Sequence, residues 1–359
     1  MSENAKPAHA VLFKTHFWDD FIARRFAALK QRCPGADLFV CVDETHGPVG
    51  DIPHDKVFRS RDSDMYALGF PRQPDTRYSL NQYNVDYPLL AFHEAHAEYA
   101  FYIMVEYDVA VHHDLDAMAA EALRCGIDLI GFPNRGAIED WHWTRTLEGL
   151  WPRDEIQRRL LCISGFSERA VAYLMAKRRE CAARFLRGEF PFWPFCEGFV
   201  PTALHEAGFT LESLARFGSV DCYRWGPPYH ESELPAMMDQ AFVHPVLTGH
   251  RYATSVLRIP KLAEIYLADP ESRPRLELAP TKTVFPASRS KLAANRGLQT
   301  WLRRRLDLEP PEVVLPALAA ALVRDGSSEA LAAVHQALAE RGRDDLSVGS
   351  ETNCSASRH

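Results

Sequence analysis

The stretch Tyr99-Ala-Phe-Tyr-Ile-Met-Val-Glu-Tyr-Asp-Val109 indicates the fold more strongly than any other part of the sequence. Its first seven residues carry no charge. A continuous apolar run of this length is typical of a strand that is covered on both faces, as in the middle of a parallel sheet. The run ends in Glu106 and Asp108, which are two residues apart. On an extended backbone such side chains point to the same face, so we expect two carboxylates to converge where this strand ends.

Strand and helix patterns alternate around this central stretch. Short apolar runs predict strands at residues 10–14, 37–43 and 127–132. Apolar residues at helical spacing predict helices at residues 19–31, 80–96 (on either side of Pro88) and 115–124. Residues 51–79 are rich in Pro, Asp, Arg and Ser and are predicted to form a long connection. A repeated βα pattern predicts an α/β fold, a Rossmann-type sandwich with a mainly parallel central sheet.

Composition excludes several classes of protein. The 359 residues include 41 basic and 48 acidic side chains, and the net charge of -7 argues against a nucleic-acid-binding protein. No apolar run approaches the ~18 residues of a membrane-spanning helix, and the amino-terminal residues do not resemble a secretory signal. The eight cysteines include no C-x-x-C pair, which predicts free thiols rather than disulfides or a zinc site. We therefore expect a soluble cytoplasmic protein.

The paired acids after the central strand suggest a metal site. Ligands of open α/β sheets bind beyond the carboxyl ends of the strands. Two carboxylates held together there repel each other unless a cation, hydrogen-bond donors or water offsets the repulsion. A hard divalent ion such as Mg²⁺ or Mn²⁺, shared with the phosphates of a ligand, would do so. The alternative is a solvated strand end with two ordinary acids.

The triplet Glu106-Tyr107-Asp108 resembles the D-x-D signature of GT-A-fold, nucleotide-sugar-dependent glycosyltransferases. Two later features add to the resemblance. Glu197, within Phe195-Cys-Glu-Gly-Phe199, resembles the acidic element that lies near the acceptor hydroxyl in these enzymes. His244, within an apolar segment, resembles the late histidine that completes the metal site in many of them. The resemblance covers residues 10–250, and it departs from the family pattern in having Glu in place of the first Asp.

The resemblance implies roles for these residues. Asp108 would be the direct ligand of the metal, while Glu106 would contact the metal, its water or the ribose of the nucleotide. His244 would complete the metal site, and an imidazole ligand favours Mn²⁺ over Mg²⁺. Glu197 would accept the proton of the acceptor hydroxyl if the enzyme inverts configuration. The alternatives are a hydrogen-bonded core histidine at 244 and, at 197, an acid that simply favours a helix start.

Weaker candidates surround this set. Asp43, after a strand, and Asp86 could border the bound nucleotide sugar, although either could instead belong to a turn. Trp141, Trp143 and Trp193 could stack on the sugar ring of an acceptor, although buried aromatics are more common.

The character of the sequence changes after residue 255. We predict a catalytic domain over residues 1–255, a helical extension over 256–345 and a disordered tail over 346–359. Apolar spacing in residues 313–323 and 329–341 favours a helical hairpin. The basic segment around Trp301 could contact an anionic membrane at its inner face, where a lipid-linked acceptor would lie, but a solvated helix face is the simpler interpretation.

Three functions remain open on these grounds. The leading one is a metal-dependent glycosyltransferase that moves a sugar from a nucleoside-diphosphate sugar to a glycan or another hydroxyl acceptor, in surface polysaccharide biosynthesis. The second is a metal-dependent nucleotidyl- or phosphotransferase, against which the absence of glycine in residues 10–20 counts. The third is a non-enzymatic carbohydrate-binding protein whose acids are structural.

Overall fold

A mixed α/β sheet of seven strands organises the computed structural model, which describes residues 8–71, 79–134 and 136–257. The strands of the described residues are β1 His9–Thr15, β2 Asp37–Asp43, β3 Val57–Ser60, β4 Phe101–Glu106, β5 Ala110–Val111, β6 Leu129–Pro133, β7 Arg159–Ser167, β8 Leu211–Ser213, β9 Tyr229–His230, β10 Phe242–Val243 and β11 Val246–Leu247. The large sheet has the strand order β3-β2-β1-β4-β7-β6-β8.

The helices cover both faces of this sheet or connect its strands. The α-helices of the described residues are α1 Asp20–Lys30, α2 Asp62–Ala67, α3 Leu80–Tyr83, α4 Asp86–Ala95, α5 Leu115–Cys125, α6 Glu168–Leu186, α7 Cys196–Glu206 and α8 Gly249–Leu257. Short 3-10 helices span Thr144–Leu147, Arg153–Glu155, Leu214–Phe217 and Glu231–Met237.

The half of the sheet formed by β3, β2, β1 and β4 is parallel throughout. Because these strands run in one direction, their carboxyl ends lie along the same edge of the sheet. In the register of β1 and β4, Lys14 is paired with Glu106 at this edge. The arrangement is Rossmann-like, and the prediction of a large, mainly parallel sheet is confirmed.

Strand β7 was not predicted, and it runs antiparallel to both β4 and β6. Its pairing with β4 ends at Val105 opposite Ile163. Continuing this register by one step sets Glu106 opposite Cys162. The antiparallel strand therefore brings a part of the chain that is distant in sequence to the end of the central strand.

Alternate residues of the central strands enter two separate apolar layers. On β1, Ala10 and Leu12 belong to one buried cluster, while Val11 and Phe13 belong to the other. The first cluster includes residues of α4, α6 and α7, and the second includes residues of α1 and α5. Burial on both faces explains why the central strands have continuous apolar sequences rather than alternating ones.

Local signals in the sequence account for several helix boundaries. Asp19 caps α1 by accepting a hydrogen bond from the Ile22 N–H, and Asp114 caps α5 in the same way through Ala117. Helix α5 ends at Gly126, whose φ of 65° lies in the left-handed region that favours glycine. The predicted strands at 10–14, 37–43 and 127–132 and the predicted helices at 19–31 and 115–124 agree with the structure within a few residues.

Two predictions of local structure were wrong. The stretch predicted as a long connection contains β3 and α2. The sequence did not predict β3, because a four-residue strand at the edge of the sheet needs few apolar residues and two of its four residues are polar. The helix predicted around Pro88 is broken earlier, between α3 and α4, and Pro88 lies in the first turn of α4. A proline in the first turn removes no hydrogen bond from the helix.

The described residues fall into two compact units. The first extends to Trp225 and includes Leu234–Pro245; the second comprises Gly226–Glu233 and the residues after Pro245. In the second unit β9 and β11 pair in parallel. The predicted helical extension, the tail and the segment around Trp301 lie outside the described residues. None of the helices in the described part of the chain is long and apolar enough to cross a membrane.

A buried ion pair connects α4, α6 and the segment that precedes α7. Arg178 of α6 donates two hydrogen bonds to Asp86 of α4, at 2.8 and 3.0 Å, and both side chains are 0% exposed. A further Arg178 N–H donates to the carbonyl oxygen of Pro194, shortly before α7 begins. The guanidinium also lies 3.9 Å from the centroid of the Phe199 ring. The pair thus links three helical segments with its charges fully compensated.

We predict that Arg178→Met lowers the free energy of unfolding by about 3–5 kcal/mol, because it leaves the Asp86 carboxylate buried without a partner. The control is Arg179→Met, which removes an exposed ion pair with Glu94 and should cost less than about 1 kcal/mol. Urea unfolding of both variants measures the difference. Equal losses in the two variants would contradict this role for Arg178.

Candidate active site

The acid pair lies in a tight turn after β4. The N–H of Val109 donates to the carbonyl oxygen of Glu106 at 3.0 Å, and the N–H of Tyr107 donates to the carbonyl oxygen of Lys14 at 3.0 Å. Arg25 of α1 donates to the carbonyl oxygen of Val109. These bonds hold the turn against β1 and α1. The Glu106 carboxylate accepts a hydrogen bond from Lys14 Nζ at 3.2 Å, which partly offsets its negative charge.

Asp108 carries an uncompensated buried oxygen. Its Oδ1 atom is buried and has no hydrogen-bond partner among the described residues. Burial raises the pKa of Asp108 to about 6. The negative charge of Glu106 adds to this rise, while His244 acts to lower the pKa. A buried carboxylate oxygen without a partner is costly. A cation bound beside it would remove that cost.

His244 faces Asp108 from a distant part of the chain. It follows β10, and its backbone N–H donates to the carbonyl oxygen of Cys222 at 3.0 Å. Its side chain is 5% exposed, and Nε2 lies 3.6 Å from Asp108 Oδ1. Nδ1 lies 2.5 Å from the carbonyl oxygen of Arg224. Since a carbonyl oxygen can only accept, Nδ1 carries the proton and donates, and a neutral ring keeps its lone pair on Nε2. Metal-binding histidines are commonly held in this way.

One group of potential metal ligands among the described residues includes a residue that sequence analysis missed. Ligand atoms of Glu106, Cys162 and His244 all lie within 4.8 Å of one another. Asp108 lies outside this group of three, although it is adjacent to His244. Cys162 is buried in β7. Its sequence context is that of an ordinary core strand, so only the pairing of β7 with β4 could have revealed it.

Glu197 lies in the first turn of α7, close enough to Glu106 for the two charges to interact. Burial and the negative charge of Glu106 raise the pKa of Glu197 to about 8. A hydrogen bond from the Leu161 N–H acts in the opposite direction and lowers this pKa. The following residue, Gly198, allows α7 to approach its neighbours closely, since a Cβ atom there would lie 3.0 Å from the Trp141 ring and still closer to Leu147. The structure therefore brings Glu106, Asp108, His244 and Glu197 together.

Aromatic residues flank the start of α7. The Trp143 ring stacks on Phe195, with centroids 4.3 Å apart and an interplanar angle of 13°. Trp141 packs against Gly198, and both tryptophans are partly exposed. Trp193 differs, because it is 0% exposed and packs against Phe185 and Arg178. Its predicted contact with an acceptor is incompatible with this burial, and Trp193 is a core residue.

Asp43 and Asp86 are committed to structural contacts. Asp43 accepts hydrogen bonds from the Thr45 N–H at 3.0 Å and from the Ser79 hydroxyl at 2.6 Å. Although burial acts to raise it, these bonds hold the pKa of Asp43 below its usual value. Asp86 was predicted to border the nucleotide sugar, but both of its oxygens bind Arg178 and it has no exposed surface. Asp86 therefore stabilises the helical layer instead.

Comparison with known proteins finds similarity in structure but not in sequence. No family model matches the chain, and no curated protein matches its sequence. Among solved structures, it has a distant likeness to a crystal structure of a glycosyltransferase involved in the glycosylation of the major capsid of PBCV-1. The identity is 9%, the TM-score is 0.33, and the match covers 66% of this chain and 94% of that chain.

The site offers the donors that a divalent cation requires. The orphaned Oδ1 of Asp108 and the lone pair on Nε2 of His244 lie 3.6 Å apart, with nothing donating to that oxygen among the described residues. Carboxylate oxygen and imidazole nitrogen together suit Mn²⁺ and Zn²⁺ better than Mg²⁺. The residues present therefore fit a cation, and Glu197 is close enough to Glu106 for its pKa to respond to the charge of that carboxylate.

We predict that Asp108→Asn stabilises the metal-free protein much more at about pH 7.5 than at about pH 4. Because the pKa of Asp108 is raised to about 6 in the folded protein, folding favours the protonated acid, and wild-type stability falls as the pH rises from the usual value of 3.8 to about 6. Asparagine does not ionise, so the variant does not lose stability in this way as the pH rises. Melting temperatures at both pH values measure it.

The same variant should lose the stabilisation that a divalent cation gives to the wild-type protein. Asp55→Asn is the control, because the side chain of Asp55 is 91% exposed and should respond to neither pH nor cation in this way. Unchanged cation binding by Asp108→Asn would remove Asp108 from the metal site.

Proposed function

We propose that this protein is a divalent-cation-dependent glycosyltransferase of the GT-A type, which moves a sugar from a nucleoside-diphosphate sugar to a hydroxyl acceptor. The observation that carries the proposal is the convergence of Glu106, Asp108, His244 and Glu197 at the carboxyl end of β4. In open α/β sheets this is where ligands bind. The four side chains come from three separate parts of the sequence, and their proximity is costly unless charge is neutralised.

The donor half of the site would be formed by Asp108, Glu106 and His244. A bound Mn²⁺ or Mg²⁺ would supply positive charge that stabilises the nucleoside diphosphate as it leaves. Asp108 and His244 would hold the cation directly, while Glu106, already paired with Lys14, would contact it or its water. Lys14 adds a positive charge at the same edge of the sheet, where it could attract phosphate oxygens. Asp43 would support this half indirectly, by ordering the loop after β2.

The acceptor half would be formed by Glu197 and the aromatic residues beside it. The carboxylate of Glu197 would accept the proton of the attacking hydroxyl in an inverting transfer. Its pKa of about 8 makes it a stronger base than an ordinary carboxylate. Trp141 and Trp143 offer partly exposed rings next to the first turn of α7, and such rings bind the apolar faces of sugars.

The acceptor and its cellular context remain proposals from the sequence. We propose a glycan or lipid-linked acceptor in surface polysaccharide biosynthesis, used in the cytoplasm at the inner face of the membrane. The basic segment around Trp301, proposed to contact that membrane, lies outside the described residues.

A donor screen tests the proposed activity directly. The protein is incubated with nucleoside-diphosphate sugars and a divalent cation, and the released nucleotide is identified. Release of nucleoside diphosphate that stops on chelation supports glycosyl transfer. Release of nucleoside monophosphate would favour the nucleotidyl- or phosphotransferase, and a protein that neither binds nor cleaves any donor would favour the carbohydrate-binding alternative.

We predict that Glu197→Gln lowers kcat by roughly 10²–10⁴-fold, the usual contribution of a general base. Donor affinity should remain near that of wild type, because glutamine keeps the size and most hydrogen bonds of Glu197 and leaves the acid pair intact. The wild-type rate should rise with pH as Glu197 loses its proton near pH 8, and this rise should disappear in the variant. Steady-state kinetics over a pH series measures both effects.

The matched control is Glu168→Gln, which makes the same change in the first turn of α6. If Glu197 only stabilises the first turn of α7, the two variants should show similar losses of stability, about 0.3–1 kcal/mol each, with turnover intact. A retaining enzyme would instead show a raised acceptor KM in Glu197→Gln. Unchanged turnover in a folded Glu197→Gln protein would exclude Glu197 from the reaction.

A further inference from the structure

The thiol of Cys162 lies among the proposed metal ligands, although neither the D-x-D resemblance nor the composition assigns it a role. Strand β7 places it opposite Glu106, one step beyond the pairing of Val105 with Ile163. Its Sγ atom, a carboxylate oxygen of Glu106 and a ring nitrogen of His244 all lie within 4.8 Å of one another. Cys162 is buried, and so is His244, whose Nε2 is directed toward the unpaired Oδ1 of Asp108.

This combination of donors differs in chemistry from a pair of carboxylates. Mg²⁺ binds oxygen ligands almost exclusively, whereas a thiolate and an imidazole favour borderline or soft cations such as Zn²⁺. Ligand atoms lie about 2.0–2.3 Å from Zn²⁺, so atoms at most 4.8 Å apart need only small side-chain rotations to bind one ion. Three protein ligands also leave a coordination position open for a substrate oxygen, as in catalytic zinc sites.

We propose that Cys162 is a metal ligand together with Glu106 and His244, and that the site therefore selects a thiophilic cation, Zn²⁺, over Mg²⁺. The proposal rests on the proposed function, since it concerns the same site, and it replaces the oxygen-preferring ion expected from the sequence. On binding, the thiol transfers its proton to solvent and its sulfur forms the bond to the metal. Asp108, adjacent to His244, would then contact the ion through a bound water and not directly, which keeps the fourth position open.

Cobalt(II) is the spectroscopic probe for this site, because it occupies zinc sites and absorbs in the near-ultraviolet by sulfur-to-metal charge transfer when a thiolate binds it. The full-length protein is stripped with a chelator and titrated with Co²⁺. We expect a saturable charge-transfer band that Zn²⁺ abolishes by competition and that a large excess of Mg²⁺ leaves in place. Saturable Co²⁺ binding without this band, or no binding at all, would overturn the proposal.

The variants identify the sulfur. Cys162→Ala should lose the band and bind Zn²⁺ at least about tenfold more weakly. Removal of a residue that only supports a metal ligand already weakens metal binding by about that factor, so removal of a ligand should cost no less. Cys181→Ala is the matched control, because Cys181 is a buried free thiol on α6 outside the ligand group. A band that persists in Cys162→Ala would overturn the assignment. If Cys162→Ala fails to fold, Cys162→Ser, which keeps the size of the side chain but removes the sulfur, takes its place in the same two measurements.

These readouts do not depend on glycosyl transfer, so the two proposals can fail separately. A sulfur band in a protein that cleaves no nucleotide sugar would leave the Cys162 site intact and overturn the proposed function. Conversely, donor cleavage supported by Mg²⁺ in a protein that shows no sulfur band would leave the glycosyltransferase intact and overturn the role of Cys162.

Discussion

The loss of hydration at a cluster of partly buried acids is the constraint on which the arrangement of the site depends. Glu106 and Asp108 leave the central strand two residues apart, and Glu197 approaches them from α7. Partial burial removes much of the water that would stabilise their charged forms, and the charge of Glu106 adds to this, so the pKa values of Asp108 and Glu197 rise to about 6 and about 8. Lys14 compensates Glu106, but the inner oxygen of Asp108 has no partner among the described residues. A fold that keeps such a cluster stores unfavourable free energy that a bound cation would release.

The rest of the first unit holds this cluster in place. Strands β1 and β4 are buried on both faces, and the turn after β4 is fixed by hydrogen bonds to β1 and α1. On the opposite side, the ion pair of Arg178 with Asp86 anchors the segment before α7 through the Pro194 carbonyl oxygen. Site residues supported by packed secondary structure keep their geometry better than residues on free loops. The ion pair of Arg178 and Asp86 thus helps to position α7, which carries Glu197, and does not itself face a ligand.

Prediction from the sequence succeeded where a local pattern has one physical interpretation. The uncharged run before Glu106 is typical of a covered strand, and alternation with amphipathic segments implied a mainly parallel sheet. It failed where the same residue type has two uses. Asp86 and Trp193 were candidates for ligand contacts, but their hydrogen bonds and burial commit them to the structure. The sequence carries no sign of this, because for Asp86 the partner Arg178 is distant along the chain, and the burial of Trp193 depends on packing against α6.

The sequence by itself determined the central strand and the acids at its carboxyl end, because strand periodicity and chain direction are local properties. Only the tertiary structure decided which groups meet those acids. The antiparallel entry of β7 sets Cys162 beside Glu106, and the segment after β10 brings His244 to Asp108. Both contacts depend on pairing between strands far apart in sequence, and such pairing is set by the packing of the whole sheet rather than by any motif.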